Sequence, residues 1–214
     1  MVTSLRQSTI LIATSRTMTS FRILHVLARV LFVAALCTPI GARANQTSEQ
    51  FVQERAARVV AILNSSESIA QKRDGLTQLV EENVGIERIA YYTLGKYRAE
   101  AKPEDLESYV AAFRAYLFAY YIRPAAGFSG ITLTVTGSTD VPGGKGAIVH
   151  TVAKTPGKTE LDWYVLDDSS IVDVEIAGIS AANLLRAQVS AVLALNGGKV
   201  SAATDLLKTL VGKA

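Results

Sequence analysis

Side chains able to move protons or attack an electrophile are scarce in this chain. Cys37 is the sole cysteine, and His150 is the only histidine beyond residue 44. General acid–base catalysis draws most often on a histidine or a shifted carboxylate, so His150 and Asp173 are the two candidate bases. A Ser180–His150–Asp173 triad can be written on paper. The residues around the serine, Ala177-Gly-Ile-Ser-Ala, lack the glycine-flanked elbow that exposes a hydrolase nucleophile. Helix capping is the better account of Ser180, with Asp173 fixing the same strand-to-helix turn. His150 falls mid-strand on the face of Ile148 and Val152, where a packed or hydrogen-bonded core position is expected.

Metal and nucleotide chemistry find no support. Zinc or iron sites want several His or Cys ligands, and none cluster here. Glu81-Glu82 and Asp167-Asp168 read as a solvated helix face and a turn. Gly143-Gly144 and Gly197-Gly198 are turn pairs without a phosphate-loop pattern. No cofactor is expected.

The segments that must position these residues begin with an export signal. From Met18 to Ala44 the chain has a basic start at Arg22, an apolar run Val26 to Leu36 broken only by Arg29, then Pro39, Gly41 and the small-residue site Ala42-Arg43-Ala44. That order is a secretory signal peptide, and the run is shorter than the roughly 20 residues that span a bilayer. Residues 1–44 are therefore expected to be removed, with translation from Met18 giving the more ordinary signal, and 45–214 to form one exported domain. Of the chain's 22 basic residues, five arginines lie in the first 44 residues with no acid, which leaves 17 basic against 19 acidic residues and a net charge of −2. The basic excess belongs to the signal. The remainder has no concentrated positive surface of the kind a nucleic-acid backbone requires.

Helical spacing marks Ser48 to Leu63, with Val52, Ala56, Val59, Val60 and Leu63 inward, and Glu67 to Asn83, with Ile69, Leu76, Leu79 and Val80 inward. A helical turn follows over Ile86 to Thr93. The clearest helix runs from Pro103 to Ile122, with proline in its first turn and Glu104, Asp105 and Glu107 at the positive end of its dipole. The period then shortens to two in Ile131 to Val135, Ile148 to Val152, Leu161 to Val165 and Ile171 to Ala177, separated by turns at Asp140-Val-Pro-Gly-Gly, Thr155-Pro-Gly-Lys and Asp167-Asp-Ser-Ser. Two more helices reach Leu195 and span Ser201 to Val211. The fold class is α+β: a curved four-stranded antiparallel meander packed against several helices.

Apolar surface exceeds what one core stripe needs. Seven tyrosines, Tyr91, Tyr92, Tyr97, Tyr109, Tyr116, Tyr120 and Tyr121, lie in or just before the long helix, and a tyrosine suits the boundary between a greasy cavity and water. Such a helix must be covered on more than one side, by protein or by ligand.

The segments Ile89-Ala-Tyr-Tyr-Thr-Leu-Gly-Lys-Tyr-Arg, Pro103-Glu-Asp-Leu-Glu-Ser-Tyr-Val-Ala-Ala-Phe-Arg-Ala-Tyr-Leu, Phe128-Ser-Gly, Val172-Asp-Val-Glu-Ile-Ala-Gly-Ile-Ser and Asn183-Leu-Leu-Arg-Ala-Gln-Val occur in this order over nearly the whole of 45–214. The series resembles the MlaC family, periplasmic phospholipid-binding proteins that accompany a lipid ABC transporter. Two positions depart from the family's habit: Ile86-Glu87 stands where an aspartate is usual, and Ser169-Ser170 where a tryptophan is. A hopanoid-associated branch of the family is a second reading. The resemblance implies an apolar cavity between sheet and helices holding acyl chains, no catalysis, and a monomeric carrier that meets an inner-membrane lipid transporter complex and an outer-membrane lipid complex. Alternation then gives the expected lining: Phe113, Leu117, Tyr120 and Tyr121 from the long helix, and Leu133, Val135, Ile148, Leu161, Trp163, Val165, Val174 and Ile176 from the sheet. A small-molecule enzyme on a cone-shaped α+β scaffold, with His150 or Asp173 as base, is the rival from another class. An adaptor whose apolar faces close on themselves is a third.

Overall fold

The computed structural model describes residues 41–154 and 157–214; the expected signal run and part of the Thr155-Pro156 turn lie outside the described residues. The first helix among the described residues, α1, is Gly41–Asn64, so it begins before the expected cleavage site rather than after it. α2 (Ile69–Asn83) opens on a capping box in which Ser68 and Gln71 satisfy each other's backbone N–H groups. Buried Lys72 donates to the Leu63 carbonyl at 2.8 Å, placing a cation on the exposed carbonyls at the end of α1. Ile69, expected inward, is 64% exposed, because the first helical residue precedes the buried stripe.

α3 (Ile86–Leu94) runs into a 3₁₀ turn, Gly95–Glu100, and α4 (Pro103–Leu117) starts with its proline where no intrahelical N–H bond is lost. The expected single helix to Ile122 is interrupted. Phe118–Ile122 winds as a π-helix, followed by one α turn at Arg123–Ala125.

Among the described residues the sheet has five strands, not four: β1 (Thr132–Asp140), β2 (Ala147–Lys154), β3 (Lys158–Val165), β4 (Ile171–Ile176) and the two-residue β5 (Ile179–Ser180). They pair in chain order and all antiparallel, the expected meander. The added strand is the far side of a turn at Ala177 and Gly178, both with positive φ, 50° and 80°, which closes a hairpin on Ile176 and Ile179. Register shifts at Val135/Gly137 and Tyr164/Val165 bend the sheet. Gly146 admits no side chain: at φ 134° a Cβ would stand 2.1 Å from the Val165 carbonyl oxygen.

α5 (Ala181–Leu195) is capped by Ser180, whose Oγ accepts from Asn183 N at 3.0 Å, and α6 (Val200–Val211) packs beside it. Asp173 ties β4 to this junction by accepting from Ala182 N at 3.0 Å and from the Ser180 hydroxyl. Among the described residues, buried apolar side chains gather in three places. The largest joins α3, α4, α5 and α6 through Leu94, Tyr109, Phe113, Val189 and Leu207; the second joins α1 to the sheet through Val52, Val149, Val165 and Ile171; the third joins α1 and α2 to the start of β1 through Leu63, Leu76 and Ile131.

Candidate functional site

Where these three clusters meet, the protein does not fill its own interior. A cavity of about 340 Å³ lies between the concave sheet face and the helices, within the roughly 300–1,000 Å³ of small-molecule sites. Its helical wall comes from Val52, Ala56, Val59 and Leu63 of α1, Leu76, Leu79 and Val80 of α2, Phe113, Tyr116 and Leu117 of α4, and Leu185 of α5. The π turn contributes Tyr121 and Ile122, and the sheet Leu161, Trp163, Ile171, Val174 and Ile176.

Seven of the twelve residues expected to line a cavity therefore do so: Phe113, Leu117, Tyr121, Leu161, Trp163, Val174 and Ile176. The other five lie elsewhere. Tyr120 is 50% exposed, turned out of the wall while stacking at 5.3 Å on Tyr116. Val165 is only 1% exposed and is spent in the cluster with Val149 and Ile171, where Val135 also packs, and Leu133 packs beside Ile131. Ile148 is on the opposite face, since β2 buries Ala147, Val149, Thr151 and Ala153 instead. Both parities of β2 carry apolar residues, so alternation cannot choose between them. Pairing with β3 does, by setting Val149 opposite Trp163 and Thr151 opposite Leu161.

The same reversal moves His150 out of the core. It is half-buried on the outer face, its Nδ1 2.7 Å from Asp162 Oδ1 and its Nε2 3.3 Å from Thr139 Oγ1. Asp173 is engaged with Ser180 instead. Histidine, aspartate and serine thus serve two separate hydrogen-bond sets, and the triad written from the sequence is not assembled.

Polar groups reach the cavity at few places, and these already have partners. Arg55 Nε donates to Asn83 Oδ1 at 2.9 Å, Asn83 Nδ2 donates to the Leu79 carbonyl at 2.8 Å, and the Arg55 guanidinium lies 4.1 Å from the Phe51 ring. Trp163 Nε1 donates to Thr151 Oγ1 at 2.9 Å, which lets an indole sit in an apolar wall with its one donor satisfied. Tyr116, Tyr120 and Tyr121 form a ring cluster with centroids 5.2–6.1 Å apart. Burial pushes the Tyr116 and Tyr121 hydroxyls above the usual tyrosine range, so both stay neutral donors. The arrangement can solvate hydrocarbon.

Sequence reasoning placed the α1 and α2 stripes inward but did not name them as cavity lining. Their periodicity shows which face is apolar, not whether the facing element fills it. Among the described residues, no helix is long and apolar enough to cross a membrane.

The model of the family described as MlaC protein matches residues 53–209. No curated protein matches the chain. Among solved structures, the phospholipid-binding protein from Ralstonia solanacearum, determined in complex with a phospholipid, is similar in fold with a TM-score of 0.68 and 16% sequence identity, over 78% of this chain and 97% of that one. The family match takes in α1 from its fourth turn onward, the sheet and nearly all of α6, and so part or all of every element that walls the cavity: the chain belongs to the MlaC family.

Proposed function

We propose that the protein is a phospholipid carrier, exported to the periplasm and released there after loss of residues 1–44, that passes lipid between an inner-membrane ABC-type transporter complex and an outer-membrane lipid complex. The observation that carries the reading is the apolar cavity at the junction of three cores, walled by Leu117, Tyr121, Trp163 and Val174. A hydrocarbon chain exposed to water costs roughly 0.8 kcal/mol per methylene, so a carrier has to supply an equivalent dry surface. Membership of the MlaC family and a similar fold seen with phospholipid bound support the choice of ligand. The role is binding and transfer, with no bond made or broken.

Mass spectrometry of the purified protein under native and denaturing conditions tests this. Phospholipid that leaves with denaturation is the expected result. A protein that arrives empty and cannot be loaded from phospholipid liposomes overturns the proposal, and a co-purified polycyclic lipid in place of phospholipid overturns the choice of ligand. N-terminal sequencing of the exported form, expected to begin near Asn45, tests the release.

A further inference from the structure

A second depression lies beside the apolar cavity and differs from it in chemistry. It is an open, polar groove of about 870 Å³ along α3 and the 3₁₀ turn, and its prominent side chains are Arg88, Arg98, Arg114, Arg186, Tyr91 and Tyr92. Two of the arginines are neutralised inside it, Arg88 by Asp168 at 3.0 Å and Arg114 by Glu81. Arg98 and Arg186 have no ion-pair partner among the described residues. Each is held over a ring instead, Arg98 at 4.0 Å from Tyr91 and Arg186 at 4.3 Å from Tyr92.

Stacking of this kind restrains a guanidinium while using none of its five N–H donors, which stay available to an acceptor. One of the rings is itself anchored: Tyr92 donates to Asn183 Oδ1 at 2.5 Å, while the Glu87 carboxylate beside Tyr91 holds that hydroxyl above its usual range. Gly95, beside the Arg186 guanidinium, turns the backbone at φ 56°, a conformation that favours glycine.

We propose that this groove is a docking surface for an acidic segment of a partner protein, whose carboxylates pair with the stacked Arg98 and Arg186. A guanidinium fork matches a carboxylate in two parallel hydrogen bonds. Tyrosine and arginine are also the residue types enriched at the energetic centres of protein interfaces, because they supply area and donors at low ordering cost. An isolated phosphate suits the groove less well, because it would fill little of the space and engage only one of the two stacked guanidinium groups fully. Val84 lines both the groove and the apolar cavity, so a partner docked here lies one side chain from the cavity wall.

The test uses the lipid-loaded protein and a fluorescein-labelled glutamate-rich peptide, read by fluorescence anisotropy, with the glutamine version of the peptide as control. The expected result is salt-sensitive binding of the acidic peptide alone, weakened by about tenfold or more in R98Q/R186Q. R73Q, which alters an exposed arginine outside the groove, is expected to bind like the unaltered protein. Bound lipid and far-UV circular dichroism serve as the fold check. If the double variant does not fold, R98K/R186K keeps the charge and loses the fork, and is expected to bind several-fold more weakly. Equal binding by the altered and unaltered proteins, equal binding of the glutamine peptide, or displacement of the acidic peptide by equimolar inorganic phosphate or by phosphatidylglycerol vesicles would each overturn the proposal.

Discussion

Trp163 joins the cavity to the sheet: its ring is part of the apolar wall while its N–H is held by Thr151. Since it is the only tryptophan, its emission reports on the cavity alone. Loading with phospholipid is expected to shift that emission to shorter wavelength and reduce quenching by iodide; unchanged wavelength and quenching would place the ligand elsewhere. Tyr109 shows the opposite use of a tyrosine. It is fully buried in the helical core, 2.6 Å from Thr93 Oγ1, and burial pushes its hydroxyl up to about 12. The folded state therefore keeps a proton that the unfolded chain releases above about pH 10. The resulting stability is present in full below pH 10 and is lost as the pH rises through about 12, a loss of roughly 2–3 kcal/mol for a shift of this size. Urea titrations at pH 9 and near pH 11.5 check this, and Tyr109→Phe is expected to reduce the dependence without abolishing it, because Tyr116 and Tyr121 are raised as well.

At the scale of elements, the β4–α5 junction is the most closely specified. Asp173 and Ser180 turn the strand into the helix by accepting backbone N–H groups and bonding to each other. Ser180→Ala removes the cap and is expected to cost about 1 kcal/mol in urea denaturation while leaving lipid content unchanged, because Ser180 does not line the cavity. Gly146→Ala tests the β2–β3 contact more severely. Its Cβ would strike the Val165 carbonyl at a backbone angle few side chains adopt, so a loss of at least ~2 kcal/mol or failure to fold is expected. The π turn at Phe118–Ile122 has a different consequence. Continuous α-helix was expected there; the wider winding instead turns Tyr121 and Ile122 into the wall and leaves Tyr120 in solvent. Irregular turns of this kind recur at functional sites because they re-aim side chains without ending a helix.

The molecule as a whole has given up part of its core. Three apolar clusters meet without closing, and a bound hydrocarbon would complete the packing that the protein lacks. A ligand that binds only the folded state stabilises it in proportion to the logarithm of its saturation, about 2.7 kcal/mol at a hundredfold excess over Kd. Removing lipid from the purified protein is accordingly expected to lower Tm on the order of 5–10 °C, with recovery on reloading from liposomes. A delipidated protein with unchanged Tm would show that the cavity is not where the ligand contributes.

Local pattern alone determined the α+β class, the order of helices and strands, the capped start of α5 and the surplus of apolar faces, because hydrophobic period, turn residues and caps are encoded within a few positions of the residues they govern. The ordered series from Ile89 to Val189 was legible for the same reason. Tertiary structure decided which face of β2 is buried, where His150 points, how α4 winds after Leu117 and which apolar residues line empty space. A strand with apolar residues on both parities takes its face from its neighbour, so His150 went to Asp162 and Val149 to the core. Whether a buried stripe packs solidly or borders a cavity depends on how closely facing elements approach, and no single element's sequence contains that distance.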